Sequence, residues 1–208
     1  MRKNNSMKKR KGNFLIITGL LLLAAALVLT GYNIYESKRA QITSDEAVDA
    51  IVEKLEEDQD DSVEDIPLYE KFPDKEMPTI LVNGQRYVGI LEVPEKGLTL
   101  AVLAGEWSYP KLRIAPCLYS GSIYRDDTVI AGHNYSSHFS KIKTLKQDSE
   151  VKFTDVEGNE FYYKVGWTDV LEPEQVDVLT EATDWDLTLF TCTYGGRERC
   201  AVRCIREK

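Results

Sequence analysis

The chain has 208 residues, 43% of them apolar, with 26 Lys and Arg against 34 Asp and Glu. That is enough for one domain with a self-sufficient core, and it excludes a disordered or collagen-like chain. All six bases of the first 35 residues precede any acid, so the remaining 173 residues carry 20 bases against 34 acids, a net of −14. This balance excludes a nucleic-acid-binding domain, which needs a clustered basic surface to neutralise phosphates.

After a basic tail over residues 1–11, no charged residue occurs from Gly12 to Tyr35. Phe14 to Gly31 reads FLIITGLLLLAAALVLTG, about 27 Å as a helix and long enough to span a bilayer. Bases before the run and acids after it place the N-terminus in the cytoplasm and the rest of the chain outside. A cleaved signal peptide is the competing reading, with Ala24-Ala25-Ala26 as a small-residue cleavage site. The run continues past those alanines to Leu29, which favours a retained anchor over residues 12–35.

Residues 36–76 read as an acidic extracellular linker, with eleven acids and one base between Thr43 and Asp65. Thr43 and Glu46 have the spacing of a capping box, and Val48, Ile51, Val52 and Leu55 fall at i, i+3, i+4 and i+7. This predicts a short amphipathic helix there. From Glu56 to Lys75, with Pro67 and Pro73, apolar content is too low to pack and the segment reads as a tether.

From residue 77 to 208 short β-prone runs alternate with turn residues. Expected strands are Thr79–Val82, Arg86–Val93, Leu98–Leu103, Thr128–Ala131, Val151–Thr154, Glu160–Trp167, Leu187–Cys192 and Arg199–Ile205. A helical turn carrying Phe139, Ile142 and Leu145 is expected between Ser136 and Lys146. The class is all-β, a barrel or sandwich.

The last hairpin carries the chemistry. Gly195-Gly196 supplies the positive φ that a two-residue turn demands. Centring the hairpin there places Cys192 directly across from Arg199, with Cβ atoms about 4.5–5.5 Å apart. Leu187, Leu189, Cys200, Val202 and Cys204 then form the apolar face, and Cys192 and Arg199 share the other. A guanidinium beside a thiol favours the reactive thiolate or an anion formed next to it. A packed cysteine beside a solvated arginine is the alternative for this pair alone. Arg203, on the same face but further from the turn, is the rival arginine. A general acid is needed as well, and the chain has two histidines. His133 ends the run Thr-Val-Ile-Ala-Gly-His-Asn, and a histidine there suits proton transfer near neutrality. His138 receives no role. Cys200 and Cys204 are about 13 Å apart along one strand, too far to bridge. They read as buried free thiols, with the pairing of Cys117 left open.

Three motifs in one order now resemble the sortases, membrane-anchored cysteine transpeptidases of Gram-positive bacteria. They are Ala131-Gly132-His133-Asn134, Thr188-Leu189-Phe190-Thr191-Cys192, and Arg199 at the head of a strand. Tyr87 to Pro94 also looks like the family's opening strand, and the likeness extends over about Ile80 to Glu207. The resemblance implies a closed eight-stranded β-barrel with short helices, preceded by the transmembrane helix. It implies that Cys192 attacks the Thr–Gly carbonyl of an LPXTG-like sorting signal, and that His133 protonates the leaving amine. Arg199 would hold the substrate backbone or the oxyanion, and Thr191 would help to position the substrate. The partners implied are surface proteins with such signals and a cell-wall precursor amine. The 59 residues from His133 to Cys192 leave little room for the helical insertion of B-type enzymes, so the chain looks D-type or housekeeping-like. No cofactor is expected. Asp126, Asp127, Glu172, Glu174 and Asp177 could be calcium ligands, but scattered loop acids are usually solvated and define no site. A membrane-anchored cysteine hydrolase and a non-catalytic wall-binding β-domain are the alternative functions.

Overall fold

The computed structural model describes residues 3–58, 66–175, 177–181, 184–193 and 195–207. The chain divides into two compact units, Met1–Lys38 and Arg39–Lys208. The first consists of the leading part of helix α1 (Lys3–Asp58), whose apolar side chains from Phe14 to Leu29 are exposed. By length and composition this helix is able to cross a membrane.

The second unit is a closed barrel. β1 (Ile80–Val82) leads into β2 (Gln85–Val93), followed by β3 (Leu98–Leu103), β4 (Cys117–Ser120) and β5 (Thr128–Ala131). After a 3₁₀ segment at Phe139–Thr144 come β6 (Glu150–Asp155), β7 (Glu160–Leu171), β8 (Leu187–Cys192) and β9 (Arg199–Arg206). Eight strands in the order β2-β3-β4-β5-β8-β9-β7-β6 close through the β6–β2 pairing, and β1 is appended to the start of β2. Two pairs, β3–β4 and β5–β8, are parallel. Closure leaves the ring without a free edge.

Period-2 alternation fills the barrel. Leu187, Leu189, Val202 and Cys204 point inward with Leu91, Leu100, Ile130, Phe153 and Phe161, all nearly inaccessible. Phe139 and Ile142 of the 3₁₀ segment join the same core, as expected for the turn after His133. The sequence expectations coincide with β1 and with seven ring strands. The eighth, β4, was not foreseen: Cys-Leu-Tyr-Ser is short, lies between Pro116 and Gly121, and meets β3 at the single pair Leu103↔Cys117.

The amphipathic helix expected after Thr43 is present, as the continuation of α1 rather than a separate short helix. Helix runs unbroken through Thr43, so Thr43 and Glu46 do not cap a helix start. The Thr43 hydroxyl donates to the Arg39 carbonyl at 3.1 Å, and Glu46 accepts from Asn83 Nδ2 at 3.1 Å. The buried stripe is Ala40, Ser44, Ala47 and Ile51, with Val48 and Leu55 partly covered and Val52 exposed. Small residues let the helix lie close to the sheet, where Ser44 Oγ accepts from the Ala101 N–H at 3.2 Å. Acids occupy the opposite, solvated face. Further on, α2 (Leu68–Lys71) places Tyr69 in a stack on Tyr124, ring centroids 5.0 Å apart, and against Phe161. Part of the expected tether is therefore packed, and residues 59–65 of it lie outside the described residues.

Candidate active site

Two pairings bring the candidate residues together. In the antiparallel β8–β9 hairpin Cys192 pairs with Arg199, Thr191 with Cys200 and Leu187 with Cys204, the register expected from the sequence. The connection is wider than a two-residue turn. Thr193 N–H still donates to the Glu198 carbonyl at 2.9 Å, and Gly195 and Gly196 take φ of 84° and 71° inside the loop. The second pairing is the parallel one, in which Ala131 on β5 faces Phe190 on β8 and the Gly132 N–H donates to the Phe190 carbonyl at 2.9 Å. Because parallel strands advance together, His133 leaves β5 at the level where Cys192 ends β8.

Cys192 is partly exposed, whereas Cys117, Cys200 and Cys204 are buried, and all four are free thiols. Burial pushes the Cys117 thiol up to about 12 and raises those of Cys200 and Cys204 as well. These three are packed, unreactive thiols. Cys192 and Arg199 line a groove with Trp107, Tyr109, Tyr119 and Phe190, and Glu172 stands at its rim. Tyr119 meets Phe190 edge-on with centroids 5.2 Å apart, and Trp107 lies 5.5 Å from Tyr119. The result is an apolar wall ending at a thiol and a guanidinium, suited to an extended peptide with apolar side chains.

The two arginines of β9 differ sharply. Arg199 is partly exposed, and its Nη1 donates to the Gly196 and Glu198 carbonyls at 3.1 and 3.2 Å. Arg203 is 2% exposed and fully engaged. Its Nε donates to Asp169 Oδ2 at 3.2 Å, Nη1 to Thr188 Oγ1 at 2.7 Å, and Nη2 to the Val178 carbonyl at 2.7 Å, while the guanidinium lies 5.0 Å from the Trp185 ring. Arg203 is thus a structural residue. Thr191 is 1% exposed at the groove floor, and its hydroxyl has no hydrogen-bond partner among the described residues.

The loop after β5 is held from several sides. His133 stacks on Tyr135 with centroids 4.0 Å apart and planes 5° from parallel. Lys143 Nζ donates to Asn134 Oδ1 at 2.6 Å, and the Phe139 N–H donates to the His133 carbonyl at 3.2 Å. Asn134 belongs to the motif that carries His133, whereas Tyr135 and Lys143 carried no signal in the sequence. Of the acids considered for calcium, Asp126 pairs with Arg206 at 2.7 Å and Asp127 with Arg125 at 3.1 Å. Among the described residues no group of three or more His, Cys, Asp or Glu is placed to hold a metal ion.

His138 is fully buried beside Ala40 of α1, and neither ring nitrogen has a hydrogen bond of good geometry. Burial pulls it down to about 4; the Ala40 carbonyl opposes this shift and the His133 charge adds to it. Between the unfolded value near 6.5 and the folded value, the unfolded chain binds a proton that the folded chain refuses. Stability contributed by the neutral ring is therefore present above pH 6.5 and is lost as pH falls toward 4, by about 3 kcal/mol in all. Denaturant unfolding of the wild type and of His138→Leu across pH 4–7 checks this. The wild type is expected to lose that much more stability than the variant over the window, and equal losses would refute it.

A family model described as "Sortase domain" matches residues 91–207. No curated protein matches in sequence. Among solved structures, a Clostridium perfringens sortase D5 transpeptidase aligns with TM-score 0.59 and 20% identity over 80% of this chain and 99% of its own. Sortase A of Corynebacterium diphtheriae aligns at 0.53 and 18% over 88% and 95%. Clostridium perfringens sortase C, solved with the C-terminal cell wall sorting motif, aligns at 0.51 and 23% over 79% and 91%.

Proposed function

The chain belongs to the sortase family, and we propose that it is a membrane-anchored transpeptidase that cleaves LPXTG-like sorting signals between Thr and Gly and joins the released protein to a cell-wall amine. The observation that carries this reading is the Cys192–Arg199 pair at the end of an aromatic groove, with His133 leaving the adjacent parallel strand at the same level. Cys192 as thiolate attacks the Thr carbonyl carbon. The tetrahedral oxyanion forms beside the Arg199 guanidinium, where a fixed cationic donor gains from partial exclusion of water. His133 gives its proton to the Gly nitrogen, the C–N bond breaks, and a thioester to Cys192 remains. An incoming amine attacks the thioester, His133 takes the amine's proton, and the thiolate departs with a new amide formed. Thr191 at the groove floor supports the backbone conformation of Cys192 and thereby the position of the substrate.

The uncharged run within residues 12–35 would anchor the enzyme as a single pass with its basic tail in the cytoplasm and the barrel outside, where surface proteins and wall precursors meet it. The length from His133 to Cys192 fits a D-type or housekeeping-like enzyme.

The test is incubation of the full chain in detergent micelles with a panel of LPXTG-type peptides, with and without diglycine or a diaminopimelate-like amine, read by mass spectrometry beside Cys192→Ala. A Cys192 acyl adduct and an amine-dependent product are expected, both absent from the variant. Hydrolysed acid alone with every amine would replace transpeptidation by hydrolysis. No adduct with any peptide from a folded protein would overturn the enzymatic reading of this groove.

A further inference from the structure

His133 does not stand alone on its loop. Tyr135 lies face to face with it at 4.0 Å and 5°, closer than the separations of about 4.5 Å and beyond that neutral aromatic pairs prefer. A protonated imidazole over the electron-rich face of a phenol ring is attracted at this range. Tyr135 is itself immobilised. Its carbonyl accepts from the His138 and Ser140 N–H groups at 3.0 and 3.2 Å, and its ring meets the buried His138 ring at 5.8 Å on the way to the barrel. Lys143 ties down Asn134 between the two stacked residues. A ring backed by a buried histidine, carried on a backbone held by two N–H groups and laid flat on the His133 imidazole is a poor candidate for mere packing.

We propose that Tyr135 is a positioning residue for the acyl transfer, a platform that fixes the orientation of the His133 ring and stabilises it when it carries a proton. The inference rests on the reading of His133 as the acid–base group. Protonated His133 is the form that must meet the leaving amine, so a platform selective for the cation raises the fraction of enzyme poised for that step. Other charges bear on the same ring. His138 behind Tyr135 is kept neutral by burial, Lys143 approaches through Asn134, and Cys192, Arg199 and Glu172 border the groove from the hairpin and the β7–β8 connection. Lys143 and Arg199 disfavour a second cation nearby, and the Tyr135 face opposes them.

The chain has only two histidines, so a full chain labelled in histidine with ¹³C and ¹⁵N, held in detergent micelles, gives two imidazole titrations, assigned with His138→Leu. In Tyr135→Leu the midpoint of His133 is expected to fall by about half to one pH unit, a three- to tenfold loss of proton affinity, and in Tyr135→Phe by no more than about 0.2. Peptide cleavage is expected to fall about five- to tenfold in the first and to be retained in the second, since phenylalanine keeps the face of the ring. Tyr135→Met, with its midpoint compared in the same way, replaces the leucine variant if that protein does not fold. An unchanged midpoint in the folded aliphatic variant, or a fall in Tyr135→Phe as large as in Tyr135→Leu, overturns the platform. Full cleavage by His133→Ala would instead remove the acid–base reading, while the titration would still decide whether the stack favours the charged ring.

Discussion

Arg199→Ala is expected to leave the barrel as stable as the wild type, within about 0.5 kcal/mol, and to lower kcat/KM for peptide cleavage by roughly 10²–10³-fold. Arg203→Ala, four residues along the same face of the same strand, is expected to cost about 3–5 kcal/mol of stability. The difference follows from what each guanidinium touches. Arg199 spends its contacts on two carbonyls of its own partly exposed loop, and in the alanine variant water replaces the guanidinium there at little cost. What is lost is the cation across from Cys192, which in the proposed mechanism stands where the tetrahedral intermediate gathers negative charge. Arg203 is 2% exposed and joins Asp169, Thr188 and the Val178 carbonyl under the Trp185 ring. Its removal leaves a cavity, an unpaired Asp169 carboxylate and a buried Thr188 hydroxyl without its partner. Thermal unfolding of both full-chain variants, with cleavage measured where each is folded, reads the two effects separately. A folded Arg199→Ala that cleaves at the wild-type rate would remove the arginine from the reaction. A fully stable Arg203→Ala would show that its buried network contributes nothing.

How much of this was legible beforehand depends on how local each pairing is. The Cys192–Arg199 register followed from two glycines and the alternation of Leu187, Leu189, Val202 and Cys204, because a hairpin is symmetric about its centre. The observed loop is wider than a two-residue turn, yet it shares that centre, so the register survived. The choice between Arg199 and Arg203 was half legible. Alternation put both on one face and the register put Arg199 beside Cys192, but the partners that β7 and the segment before β8 give Arg203 had no signal in the sequence. The placement of His133 at the level of Cys192 depends on the parallel β5–β8 pairing, a contact between segments about sixty residues apart. Nothing in the local pattern specifies that pairing, and the family motifs supplied it instead. β4 was missed because four residues with a single parallel partner pair leave almost no periodic signal. The acidic half of α1 was legible as an amphipathic helix with Ile51 on its packed face. The rest of its packed stripe was not, because Ala40, Ser44 and Ala47 are residues whose hydropathy is weak but whose small size permits close approach to the sheet.

Gly132→Ala is expected to damage peptide cleavage far more than it damages the fold. A Cβ at this position would lie 2.2 Å from Cγ and Cδ2 of Phe139, and Cγ lies on the χ2 axis, so rotation of the ring does not relieve that contact. Phe139 cannot move aside, since it is fully buried in the barrel core and its N–H is bonded to the His133 carbonyl. The backbone of Gly132 is pinned as well, through its N–H to the Phe190 carbonyl on β8. The strain must therefore appear in the next residue, His133. Displacement of an acid–base group by about 1 Å costs on the order of 10²-fold in rate, and overpacking adds about 1–3 kcal/mol of instability. The expected result is a folded protein whose peptide cleavage has fallen about a hundredfold, with Cys192 still open to a small alkylating agent because its strand and groove are unchanged. Adding Phe139→Ala, which removes the Cγ and Cδ atoms that the new methyl group meets, is expected to restore part of the cleavage that Gly132→Ala removes. A Gly132→Ala enzyme that cleaves normally, or a double variant no better than the single one, would show that the position of His133 is not set by the contact between Gly132 and Phe139.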